Sequence, residues 1–276
     1  MTTATARRLT PPTGGYPSRP ELLPAGTIEH GRYRVRFARR VDELDSVLRL
    51  RYQVFNLELG EGLAASAATG RDEDAFDAAC HHLVVEDAAA GSVIGTYRMQ
   101  TAAMASGGLG FYSAGEFDLS GLPAEVIERT IEVGRACIAR EHRNRQVLFL
   151  LWKGLARYLA ATGTRYLFGC CSLTSQDPAE GLRVTAHLTA RGLRHSRFAV
   201  APRPGLECTG DAAAAAAAVA ADPGAVELPS LFRTYLRYGA LVCGPPAIDR
   251  DFKTIDFLVL LDSAALDPRS RTLFFG

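Results

Sequence analysis

No run of about 18 consecutive apolar residues occurs in this chain, so a membrane-spanning helix is not expected. An excess of charge is missing too: 31 Lys and Arg oppose 30 Asp and Glu, a net +1, which gives no overall electrostatic case for nucleic acid. The six cysteines, Cys80, Cys137, Cys170, Cys171, Cys208 and Cys243, contain no C-x-x-C pair and no regular spacing. That speaks against a zinc site or a disulfide framework and for a reduced, cytoplasmic setting. Arg7-Arg8 is not followed by the apolar stretch of a secretory signal. His81-His82 has no second pair at ligand spacing, so no metal centre is expected.

What is present is an ordinary globular composition, 47% hydrophobic and 22% charged, in 276 residues. Residues 1–27, rich in Pro, Gly, Thr and Arg, are expected to be a disordered arm, and 28–276 a single domain. The alanine run from Ala212 reads as a helical spacer. Tyr33–Phe37 alternates as a strand, Val41 to about Leu57 has a helical period, and 60–72 is small and polar. His82–Glu86 and Val93–Arg98 form a hairpin around Asp87–Ser92, and Thr130–Ile138 is a further strand. The helix over 145–162 is the clearest, with Asn144 as N-cap and Gly163 as the glycine that ends it. Arg165–Cys171 is a buried strand; Asp177-Pro178 opens a helix that Gly192 closes; a helix around 230–238 and a strand at 257–261 follow. The expected fold class is α/β, a mixed and mostly antiparallel sheet flanked by helices.

Several polar residues break these patterns. Arg51 lies on the apolar face of its helix, between Val47/Leu48 and Val54/Phe55, where a long cation needs a partner or a route to the rim. Asp74 and Asp77 flank Phe76 and read either as loop caps or as functional acids. Arg98 ends a hairpin strand. Glu132 and Arg135 interrupt an apolar strand; a bulge at Gly134 would turn both to one side, and a structural ion pair is the alternative. Cys170-Cys171 beside Phe168 reads as core rather than as a nucleophile, since no acid or histidine stands near in sequence.

Arg51-x3-Phe55, Asp74-x2-Asp77, Gly95-x2-Arg98 and Glu132-x2-Arg135 together resemble the signature of acyl-homoserine lactone synthases, without the tryptophan that usually follows the Arg-x3-Phe pair. Five further segments resemble the ornithine-lipid branch of GNAT N-acyltransferases. They are Glu132–Cys137, Leu150–Leu155, Gly169–Leu173, Leu228–Ala240 and Ile248–Phe257. The resemblance spans roughly 33–262. It implies a GNAT-like fold and transfer of a 3-hydroxyacyl chain from acyl carrier protein to the α-amino group of ornithine, giving lyso-ornithine lipid. Glycine, glutamine or lysine as acceptor, or lactone synthesis, stay open beside it.

On that reading Glu132 is the base that deprotonates the amine, directly or through water. Backbone N–H groups around Gly134 polarise the thioester carbonyl. Arg135, Arg98 and Arg51 are placed at a substrate carboxylate or at the acids they organise. Asp74 and Asp77 are placed at the substrate's cationic end or at a loop over it, with Phe55 beside them. The loop after the strand, Arg140-Glu-His-Arg143-Asn144-Arg145, lacks the glycines that wrap a CoA pyrophosphate. With Lys153 it suits a phosphopantetheine phosphate and an acidic carrier protein. No bound cofactor is expected. A peripheral contact with the inner face of a membrane is expected from the lipid product, through the arm or the C-terminal Arg269–Phe275 segment.

Overall fold

The computed structural model describes residues 15–276 apart from 223 and 225. The chain divides into two compact units, one of residues up to 109 with 133–163, the other of 110–132 with 164–274. A single domain over 28–276 was expected. The split falls inside the strand Thr130–Ile138, where no change in hydrophobic period marks it.

In the first unit, neighbouring strands run in the order Ile28–His30, Tyr33–Phe37, His81–Asp87, Ser92–Thr101 and the 133–138 part of Thr130–Ile138. The first three pairings are antiparallel. Val41–Arg51 is α-helical because Leu44, Val47, Leu48 and Arg51 fall on one buried face. The helical period read as far as Leu57 continues as a wider turn, Tyr52–Glu58, that buries Val54 and Phe55. The helix Arg145–Thr162 has the ends its sequence specifies. Asn144 Oδ1 accepts from Val147 N at 3.0 Å, and Gly163 sits at φ 66°, where a side chain would be strained. Part of the expected arm is docked: Leu23 and Pro24 are buried, Ser18 O bonds to His81 Nε2 at 2.5 Å, and Pro24 O accepts from Arg39 at 2.9 Å. Residues 1–14, with Arg7 and Arg8, lie outside the described residues.

In the second unit Thr130–Glu132 pairs in parallel with Tyr166–Phe168, and Tyr166–Leu173 pairs antiparallel with Thr254–Asp262. Ala247–Asp249 and Leu241–Val242 add to that last strand. One sheet face is covered by the segment 110–128, whose Phe117, Leu122 and Val126 pack with Phe168, Leu258 and Leu260. The alanine helix Ala212–Ala221 is more than a spacer: it packs on Pro178–Ala190, burying Ala215 and Val219.

Candidate active site

Two polar constellations are built from the residues that broke the sequence pattern. The first lies in the unit of the N-terminal strands. Arg51 is 0% exposed; its Nε bonds to Asp72 Oδ2 at 2.8 Å and its Nη1 to Asp77 Oδ1 at 2.5 Å. Arg98 Nη1 reaches Asp74 Oδ1 at 2.6 Å and Asp77 Oδ1 at 3.0 Å, and Arg135 Nη2 reaches Asp74 Oδ2 at 3.2 Å. The backbone N–H of Asp74 also donates to Asp77 Oδ2 at 2.8 Å. Three guanidiniums thus face three carboxylates out of water, the arrangement that makes buried charges tolerable. Burial by itself would raise the Asp77 carboxyl, but Arg51 and Arg98 hold it below the usual range. Burial opposes the same effect at Asp74, where Arg98 and Arg135 keep the carboxyl low.

Of the two expectations for Arg51 and Asp77, contact with the substrate or organisation of the loop acids, this packing matches the second. Both side chains are fully buried; Arg51 bonds to Asp72 and Asp77, and Asp77 also to Arg98, so they hold Asp72–Asp77 against the helix and hairpin. Arg98, Arg135 and Asp74 keep 5%, 8% and 14% of their side-chain surface exposed. Phe55, also buried, is a core residue. Asp72 was missed: it sits in the polar run Arg71–Asp74, with no apolar neighbours to mark it as buried.

Thr130–Ile138 is one continuous strand, and its unusual backbone lies at Arg135 rather than at the expected Gly134. Arg135 itself takes φ 48°, the left-handed region that side chains other than glycine avoid, while Gly134 keeps an ordinary φ. A Cβ on Gly134 would meet nothing within 4 Å. Space above the backbone, rather than strain in it, is what this glycine provides.

The second constellation lies in the other unit. Glu132, 6% exposed, accepts from Tyr112 N at 2.8 Å through Oε2, and from Ser113 N and Ser113 Oγ, both at 2.7 Å, through Oε1. These three donors fix the carboxylate in one orientation. Ser113 Oγ also lies 3.7 Å from Cys170 Sγ, which is 3.6 Å from Glu116 Oε2. Donor atoms of Glu116, Cys170 and Asp256 lie within 4.8 Å of one another, a set of ligand-type side chains. Burial, reinforced by the charges of Glu116 and Asp256, pushes the Cys170 thiol up, so it is a protonated thiol and a poor nucleophile. Glu116 was not found from sequence because 103–128 has no clear period. Asp256 carried the signal that marked Glu132, an acid inside an apolar strand.

The expected donor loop forms a short 3-10 turn, Arg140–His142, before the helix at Arg145. Arg143 is tied to Glu58 and to Ile138 O, and Arg140 Nε lies 3.4 Å from Glu58. Asn144 is used as the helix cap, Lys153 is half-buried, and Arg145 is exposed.

Comparison with known proteins agrees with this architecture. The family description "Acetyltransferase (GNAT) domain" matches residues 50–153. The L-ornithine N(alpha)-acyltransferase of Rhizobium meliloti is 33% identical over 241 residues, covering 85% of this chain and 81% of that protein. The protein of the same name from Agrobacterium fabrum is 31% identical over 258 residues, covering 91% and 86%. Among solved structures, the N-acyl amino acid synthase FeeM from uncultured soil microbes aligns at a TM-score of 0.51 with 11% identity, covering 87% of this chain and 97% of its own; at that identity the likeness shows the fold alone.

Proposed function

The chain belongs to the L-ornithine N(alpha)-acyltransferase family, an acyltransferase with the GNAT fold, and from that premise we propose its reaction. A 3-hydroxyacyl chain, held as a thioester on the phosphopantetheine of acyl carrier protein, is transferred to the α-amino group of ornithine, giving lyso-ornithine lipid. The observation that carries this reading is Glu132: a buried carboxylate inside an otherwise apolar strand, oriented by Tyr112 N, Ser113 N and Ser113 Oγ.

An α-ammonium must lose a proton before it can attack. Glu132 accepts that proton, directly or through a water, and the free amine adds to the thioester carbonyl. Backbone N–H groups around Gly134 stabilise the resulting oxyanion. Collapse of the tetrahedral species breaks the C–S bond; the departing phosphopantetheine thiolate takes up the second proton, which the nitrogen sheds as it becomes an amide, and Glu132 returns the first to solvent. Cys170, kept as a thiol, takes no part as an acyl carrier. Arg98 and Arg135 order Asp74 and Asp77 rather than contacting the acyl group. Exposed Arg140 and Arg145 offer the carrier protein a cationic approach, with Glu58 orienting Arg140 and Arg143. Among the described residues no helix is long and apolar enough to cross a membrane. The lipid product leaves through a surface contact, for which Leu273 and Phe275, exposed on the helix Pro268–Phe275, are suited.

The test is product identity. Purified protein is incubated with 3-hydroxyacyl carrier protein or the matching acyl-CoA, and with ornithine, lysine, glycine, glutamine or S-adenosylmethionine, and products are read by mass spectrometry. N(α)-acylornithine from the carrier protein, with a donor KM that climbs with salt, is expected. Acylation from CoA at the same efficiency at all salt concentrations, or of another amine with ornithine inert, overturns it.

A further inference from the structure

Ornithine presents a second ammonium on its side chain, and an enzyme that acylates only the α-nitrogen has to hold the other one elsewhere. The acids first considered for that task, Asp74 and Asp77, are committed to Arg51, Arg98 and Arg135. The sheet face that carries Glu132 offers another place. Glu132 pairs with Phe168, and Ser172 with Asp256, so Glu132, Phe168, Cys170, Ser172 and Asp256 all project from the same side. The segment Tyr112–Glu116 lies over that side and brings Glu116 to Cys170 and Asp256.

We propose that Glu116 and Asp256 form the subsite for the side-chain ammonium of a diamino acid whose α-nitrogen is presented to Glu132, an inference that rests on the proposed acceptor. Glu116 is 6% exposed, and its Oε1 is buried with no hydrogen-bond partner among the described residues. A buried acceptor left in that condition is costly, and an ammonium supplies the missing donor together with the opposite charge. Burial, then the charge of Asp256 and a hydrogen bond shared with it, then the charge of Asp249, raise the Glu116 carboxyl well above its ordinary range; a cation seated between the acids reverses the effect of both charges. Ser113 bonds to Glu132 and touches Cys170, which in turn touches Glu116, so one short loop spans the α-amine position and the side-chain position. A neutral side chain of equal length would leave these acids as they are, and that makes the pair a determinant of specificity.

The experiment measures calorimetric binding and acyl-transfer kinetics of the full chain with ornithine and with norvaline, which has the same carbon skeleton without the side-chain ammonium. Ornithine is expected to bind at least roughly 10-fold more tightly than norvaline. Glu116→Gln and Asp256→Asn, both isosteric, are expected to raise the ornithine Kd and KM on the order of 10- to 100-fold with a smaller change in kcat, bringing ornithine and norvaline towards parity. Thermal unfolding checks that each variant is folded; should Asp256→Asn unfold, Glu116→Gln decides alone. Equal affinities in the native enzyme, an unchanged preference in Glu116→Gln, or a stoichiometric divalent metal that Asp256→Asn releases would each overturn the subsite. The binding arm needs no turnover. Ornithine held through these acids without any acylation would contradict the proposed reaction and leave the subsite standing.

Discussion

Replacing Asp77 by asparagine removes one negative charge from the centre of a fully buried network. Asp77 accepts from Arg51 at 2.5 and 3.3 Å, from Arg98 at 3.0 Å and from the backbone of Asp74 at 2.8 Å. Asparagine keeps the shape and one acceptor oxygen but leaves three guanidiniums facing two carboxylates, with Arg51 0% exposed. Breaking a buried pair from one side costs about 3–5 kcal/mol, because the surviving charge has no water to return to. For a chain of this size that is a fall in Tm of roughly 5–9 °C. The exposed pair Arg40–Asp42, with side chains 66% and 70% exposed, is the control: Asp42→Asn should leave Tm nearly unchanged. The deficit also has a pH signature. Asp77 in the folded protein titrates below its unfolded range, so its stabilisation is present above the unfolded value of 3.8 and is lost as pH falls through the folded one. Chemical unfolding at pH 7 and at progressively lower pH should therefore show the wild type converging on Asp77→Asn only in strong acid. Equal, small Tm shifts for Asp77→Asn and Asp42→Asn would refute the view that this network holds the loop.

Two other outcomes follow from the same structure. His82 is fully buried, and burial lowers it from 6.5 to about 4, so it stays neutral in the fold while the unfolded chain takes up a proton. Stability should fall as pH drops from about 6.5 to about 4, by on the order of 3 kcal/mol from this group; His82→Gln, which can keep the bond to Asp77 O, should flatten that slope in urea titrations. Gly134→Ala should leave Tm within about 1 °C of wild type, since its Cβ meets nothing within 4 Å, yet lower acyl transfer at least roughly tenfold by filling space the thioester needs. Unchanged turnover would remove Gly134 from the site.

The parts of the fold set by local chemistry were readable from sequence. Asn144 and Gly163 bound their helix as their side chain and φ require, Asp177 caps the helix that opens at Pro178, and Thr130–Ile138 is the strand its pattern indicated. Charges out of pattern were also sound guides: Arg51 and Glu132 are both buried and both fixed by hydrogen bonds. Two other acids were not readable. Asp72, which bonds to Arg51, and Glu116, which lies at Cys170, come from stretches without apolar period, and only the long-range approach of a loop to a helix or a sheet gives them a role. For the same reason the sequence leaves two places open for Arg51 and Asp77, the substrate or each other, and their burial against one another matches the second. A bulge is expected at Gly134 on propensity. The unusual backbone is at Arg135 instead, which is paired with Asp72 and Asp74 in a conformation its own backbone disfavours.

The claim that Glu132 removes the proton from the acceptor amine is tested most directly by the single-turnover rate of Glu132→Gln as a function of pH, with donor and ornithine saturating. Gln keeps a carbonyl oxygen for the Ser113 donors and loses basicity, so the rate near neutrality should fall by roughly 10²–10⁴. It should then climb about tenfold per pH unit as free amine becomes available without a base, while the wild-type profile stays flatter. A rate near that of the wild type, or a loss that no rise in pH restores, would contradict the assignment.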